Sequence, residues 1–214
     1  MVINRRSERV LQTGGMARGG QRAAFDASEM TICGMSAALI CAGAFIRITI
    51  PAEPLSMHFT LQWFFVLMAA LLFGKRLGTA STAVYLLLGL CGMPVFASGG
   101  GLSYVLRPTF GFLLGFLPAA WITGCVLETG ARATFRRMVS AGVCGLLVYY
   151  AVGMLYYAIV GSFLYHYTGL LRVILINCCF LTIGGDFLLC ILAAAAAQRV
   201  RRCLPIRRSG QHRT

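Results

Sequence analysis

Long apolar runs alternate along this chain with short basic turns, and that alternation decides which solvent most of it must meet. Arg47 is the one charged residue between Met30 and Ile50, and none occurs in Phe59–Phe73, Phe110–Leu127 or Val139–Phe163. Runs of this kind approach the ~20 residues that a helix needs to cross a hydrocarbon core. Of 214 residues, 58% are apolar and only 12% charged, about half the ~25% charged content of soluble domains. A secreted disulfide scaffold, a disordered tail and an ordinary soluble enzyme are thereby excluded. Six spans of ~20 residues fill most of such a length, so six is close to the maximum.

Six spans are expected, with short loops: about Met30 to Ile50, Phe59 to Phe73, Thr79 to Cys91, Phe110 to Glu128, Val139 to Phe163, and a last one beginning at Asp186. Pro51 stops the first, and the glycines of Gly74-Lys75-Arg76-Leu77-Gly78 permit a sharp reversal after the second. Gly184-Gly185-Asp186 interrupts the final apolar stretch, which suggests a short outer helix over about Gly169 to Leu181 before the break. The expected organisation is a flexible basic lead over 1–29, a six-helix membrane domain over 30–202 and a basic tail over 203–214.

Net charge is +13, which in a soluble protein would suggest nucleic acid. Here the positions favour topology instead. With both termini in the cytoplasm, 16 of 19 Lys and Arg fall on the cytoplasmic side, leaving Arg47, Arg107 and Arg172 towards the outside. That asymmetry obeys the positive-inside rule for a multi-pass protein of the cell membrane. The nine cysteines are odd in number, have no C-x-x-C spacing and lie mostly within apolar runs, so they are read as small buried hydrophobes rather than as metal ligands or disulfides.

Polar residues capable of chemistry are few, and no H-E-x-x-H, G-x-S-x-G or Walker motif is present, which favours binding or transport over catalysis. Asp186 sits in an apolar run and is therefore a functional candidate, or else the N-cap of the helix that follows it. Gln62 carries amide donors and an acceptor suited to a ureido or amide group, and Asn177 is similar; either alternatively joins neighbouring helices. In the loop from Gly92 to Thr109, Gly99, Gly100 and Gly101 let backbone amides approach a ligand, while Phe96 and Tyr104 offer rings for stacking. Arg107 is placed to bind a carboxylate, or to anchor at the interface. Gly34, Ala38 and Ala42 recur every four residues, a smooth stripe for internal packing or for docking another membrane protein. A membrane-embedded enzyme would have to combine Asp186 with Glu128 or His166, but Glu128 and Asp186 belong at opposite ends of their helices, ~20 Å or more apart.

Thr60-Leu61-Gln62, Gly74-Lys75-Arg76-Leu77-Gly78, Tyr85-Leu86-Leu87-Leu88-Gly89 running into Gly92-Met93-Pro94-Val95-Phe96, Pro108-Thr109-Phe110-Gly111-Phe112 and Gly185-Asp186 occur in that order. In this order and spacing, from about Met30 to Arg202, the chain resembles the BioY family, the biotin-binding S components of energy-coupling factor (ECF) transporters. The resemblance implies the six-helix S-component fold, capture of biotin from outside under an occluding loop, and no cofactor beyond the transported ligand. It also implies a transmembrane T subunit and two ATPase subunits as partners, with the stripe containing Ala38 and Ala42 meeting the T subunit. By position, Gln62, the loop around Gly99 and Asp186 would be binding residues. The chain departs from the family pattern at His58, Leu113 and Leu189, with Arg107 as a substitute cation. The same fold carrying another small carboxylated vitamin or precursor is the alternative.

Overall fold

The computed structural model describes residues 25–50, 57–130, 133–164 and 181–203. The lead up to Ala24, the tail beyond Cys203, Asn177, His166 and nearly all of the expected outer helix lie outside these residues.

Helix α1 spans Ala27–Phe45 and begins three residues ahead of the expected span, because Asp26 and Glu29 form a capping box that satisfies the first backbone N–H groups. Its expected continuation to Ile50 is corrected. Ile46 is extended, and Arg47–Ile50 forms strand β1, paired antiparallel with β2, Met57–Thr60, in the register Arg47 to Thr60 and Ile50 to Met57. Four of the five residues Ile46-Arg47-Ile48-Thr49-Ile50 are β-branched, which suits a strand better than a helix. Met57–Thr60 likewise postpones the next helix from Phe59 to Gln62.

Helix α2 is hydrogen-bonded over Gln62–Leu90, but Gly74 has φ +80° and ψ −175° inside it. If α2 were straight, Gln62 and Tyr85 would stand ~35 Å apart; instead the Gln62 Nε2 donates to the Tyr85 hydroxyl. The arms 62–73 and 75–90 therefore lie antiparallel, as the Gly-Lys-Arg-Leu-Gly turn led us to expect. They lie so close that a Cβ on Gly78 would sit 2.6 Å from the Ala70 Cα. At the reversal, the Arg201 guanidinium donates to the Leu71 and Leu72 carbonyls, and the Lys75 N–H donates to the Glu128 carboxylate at 2.9 Å. The groups that a helix break would strand are thus satisfied from two other helices.

Helix α3 covers Phe110–Glu128, α4 covers Phe135–Leu164 and α5 covers Leu181–Cys203. The last contradicts the sequence reading. The helix runs unbroken through Gly184, Gly185 and Asp186, so Asp186 is an interior residue and not an N-cap. A glycine inside a helix costs only ~1 kcal/mol relative to alanine. α3 packs along both α2 and α4, α5 packs on α2 and α4, and α1 leans on α2. Small residues allow this closeness, as usual between membrane helices: a Cβ on Gly115 of α3 would meet the Tyr149 carbonyl oxygen of α4 at 2.9 Å. Five helices among the described residues are long and apolar enough to cross a membrane, α2 counted once. The seven described cysteines are all free.

The arms of α2 predict a concrete sensitivity. Gly78→Leu should lower the stability of the detergent-solubilised protein by ~1–3 kcal/mol through overpacking, seen as a clear drop in thermal midpoint. Gly34→Leu, where a Cβ meets nothing within 4 Å, should leave that midpoint nearly unchanged.

Candidate ligand-binding site

Lys75, Arg76, Glu128, Arg137 and Arg201 gather at one end of the bundle around the Gly74 turn. Lys75 pairs with Glu128 at 3.3 Å and Arg76 with Glu29 at 3.8 Å. Arg137 donates to the Val126 carbonyl and the Thr129 hydroxyl. Measured from this basic end, Gln62 lies 12 residues along α2, Tyr85 11 residues up the returning arm, Tyr150 13 residues beyond Arg137 on α4, and Asp186 15 residues before Arg201 on α5. At 1.5 Å per residue these four polar groups reach a common depth of ~16–22 Å, towards the opposite, loop-bearing end.

Two polar centres form at that depth. In one, the Thr60 hydroxyl donates to Gln62 Oε1 at 3.2 Å, Gln62 Nε2 donates to the Tyr85 hydroxyl, and that hydroxyl donates to the Val95 carbonyl at 3.5 Å. Gln62 and Tyr85 are both buried. In the other, the Tyr150 hydroxyl donates to the Asp186 carboxylate at 2.6 Å. Asp186 is 3% exposed and has no basic partner among the described residues. An aromatic run connects the centres: Trp63 stacks on Tyr149 at 4.8 Å between ring centroids, and Tyr149 meets Tyr150 edge-on at 5.1 Å. The Trp63 Nε1 is buried, with the Cys190 sulfur beside it as a weak acceptor, and makes no well-formed hydrogen bond among the described residues. Sulfur is a weak acceptor, so this N–H is far from fully satisfied.

The loop between α2 and α3 covers this end. Phe96 and Gly99 exchange backbone hydrogen bonds at 2.9 and 3.2 Å, and Gly101 N–H donates to the Gly89 carbonyl at 2.8 Å. Two of the three glycine amides are thus spent on holding the loop. Gly99 has φ +119°, and a Cβ on Gly100 would overlap the Met93 carbonyl, so the tight fold of the loop requires glycine at both. Phe96 and Tyr104 are buried against one another at 4.9 Å and against Tyr85 and Phe110. Leu102–Leu106 is a short 3-10 helix whose Val105 carbonyl accepts from the Tyr156 hydroxyl at 2.5 Å. Arg107 is exposed, with its guanidinium 5.2 Å over the Tyr104 ring.

Among the expected residues, Gln62 joins Phe96 through Tyr85, Phe96 packs on Tyr104, and Arg107 caps Tyr104. Asp186 lies across the aromatic run from them. Leu113 and Leu189 are buried core residues. Glu128 is held by Lys75 at the basic end and shares no site with Asp186. Trp63, Tyr149 and Tyr150 were not singled out from sequence; hydroxyl- and indole-bearing rings inside apolar runs were the available signal. Gly34, Ala38 and Ala42 are exposed on the outer face of α1, whose buried face consists of Cys33, Ser36, Ala37, Ile40, Gly43 and Ala44.

A family model described as the BioY family matches residues 17–206. The probable biotin transporter BioY of Lysinibacillus sphaericus is 39% identical over 174 residues, covering 80% of this chain and 86% of that protein. The biotin transporter BioY of Thermotoga maritima is 41% identical over 127 residues, 59% of this chain and 72% of that one. A crystal structure of the S-component for biotin from an ECF-type ABC transporter superposes with a TM-score of 0.68 at 25% identity, covering 84% of this chain and 95% of that chain.

Proposed function

The chain belongs to the BioY family, and from that premise we propose that it is the substrate-binding S component of a biotin uptake transporter. It is a multi-pass protein of the cell membrane and a transport protein rather than an enzyme. The observation that carries the ligand assignment is the buried Asp186 carboxylate, whose one hydrogen bond among the described residues comes from Tyr150, at the depth of the Gln62 amide and of a Trp63 N–H that has only a weak sulfur neighbour. A buried carboxylate is costly without donors. The two N–H groups of a ureido ring supply them, Gln62 and Trp63 address the remaining polar edge, and Trp63 and Tyr149 provide flat walls. The loop from Gly92 to Thr109, with Phe96, Gly99, Gly100 and Tyr104, closes over the ring from outside. Asn177 completes the assigned set by its place in the sequence. Arg107 then meets the carboxylate of the side chain as the loop closes.

Import requires energy that this chain has no motif to extract from ATP. We assign that to a transmembrane T subunit and two ATPase subunits, docking on the exposed Gly34, Ala38 and Ala42 stripe.

Two measurements test these assignments. Charged hydrogen bonds from Arg107 in a closed, desolvated site are worth ~1.5–3 kcal/mol, about 10- to 150-fold in affinity. Arg107→Ala should lose that factor for biotin and little for a biotin derivative amidated at its carboxyl group, as read by equilibrium binding. Equal losses for acid and amide would make Arg107 an interface anchor. Ala38→Leu should reduce co-purification with the T subunit while sparing biotin affinity; unchanged co-purification would place docking elsewhere.

A further inference from the structure

The hydrogen bonds around Gln62 have a single allowed direction. The Thr60 hydroxyl donates to Oε1 at 3.2 Å, which orients the carboxamide and turns Nε2 towards Tyr85. An amide nitrogen only donates, so the Tyr85 oxygen must accept on that side. Its one proton is then committed to its other neighbour, the Val95 carbonyl at 3.5 Å. The result is an aligned chain, from Thr60 through Gln62 and Tyr85 to Val95, in which each bond polarises the next. It begins at the end of β2, crosses both arms of α2 and ends on the loop. Tyr85 is fully buried, and its ring meets Phe96 of the same loop edge-on at 5.6 Å. Removing the hydroxyl would leave both a buried amide N–H and a loop carbonyl short of a partner.

We infer that Tyr85 is a positioning residue that couples the orientation of the Gln62 amide to the seating of the Val95–Gly101 loop. It touches no ligand itself. Locked between Thr60 and Tyr85, Gln62 keeps one N–H and one oxygen lone pair for a ligand, adjacent and fixed in direction. That pair suits a group presenting an acceptor beside a donor, such as an amide or a ureide, and discriminates against an ester or a carbonate of the same shape. The ligand part of this inference rests on the binding role proposed above for Gln62; the seating of the loop does not.

The test uses the full-length protein in detergent. Tyr85→Phe keeps the ring and deletes the hydroxyl. Without ligand, hydrogen exchange at the amides of Phe96, Gly99 and Gly101 should become about tenfold faster, as expected for losing one buried hydrogen bond, while amides at the centre of α3 stay unchanged. Exchange in the loop at the wild-type rate, or a uniform rise across the protein, overturns the inference. Should Tyr85→Phe fail to fold, Gln62→Met breaks the same chain without touching the loop and should raise exchange at the same three amides; no rise there overturns it equally. With biotin, Tyr85→Phe should weaken binding about tenfold in the wild-type background but have almost no effect on top of Gln62→Met, since Tyr85 acts through Gln62. Additive losses would reduce Tyr85 to a structural residue. Wild-type protein that binds no biotin would remove the functional proposal, while the loop exchange would still decide the coupling.

Discussion

The reversal of α2 at Gly74 is the constraint from which the rest of the bundle follows. The turn lies at the basic end, where Lys75, Arg76 and Glu128 are partly exposed, yet the backbone groups it frees find partners within the protein. It finds them in Arg201 of α5, on the Leu71 and Leu72 carbonyls that end one arm, and in Glu128 of α3, on the Lys75 N–H that starts the other. Each charge has the sign that the local helix dipole favours. Three separate elements are thereby fixed in register at one end. Gln62, Tyr85 and Asp186 then rise to a shared depth at the other end by helical geometry alone.

With depth fixed, what differs between the two polar centres is their degree of completion. Gln62 is already bonded on both ends of its amide, so in the proposed binding role it would offer a ligand a fixed remainder. Asp186 has one hydroxyl partner among the described residues and Trp63 only the weak Cys190 sulfur, so in the proposed binding role these two would gain most from an incoming polar ring. The loop above is held by its own backbone, by Tyr85 at Val95 and by Tyr156 at Val105. A cover pinned from two helices by single hydrogen bonds is stable when seated, yet has only a few bonds to release.

The apolar runs and basic turns made the helical membrane architecture legible, and α3 was readable end to end because Phe110 follows a proline-containing loop and Glu128 precedes basic residues. The reversal at Gly74 was legible from two glycines flanking Lys-Arg-Leu. The β-hairpin was not, because Ile46–Ile50 is as apolar as the helix before it and hydropathy does not distinguish the two. Asp186 stood out from sequence as a functional candidate or an N-cap, and the cap is excluded because the helix begins at Leu181. A Gly-Gly-Asp sequence looks the same whether it starts a helix or lies within one, and the partner that decides it, Tyr150, is 36 residues away. The same reason hid the contacts of Trp63 and Tyr85. A ring in an apolar run is unremarkable until folding shows which polar group it faces.

We propose that a buried polar set around Asp186 and Gln62 binds biotin. Equilibrium binding of radiolabelled biotin to the purified wild-type protein and to a folded Asp186→Asn variant tests it most directly. Saturable binding near one biotin per chain is expected in the wild type, with a loss of at least tenfold in affinity in the variant. Undiminished biotin binding by Asp186→Asn would contradict it.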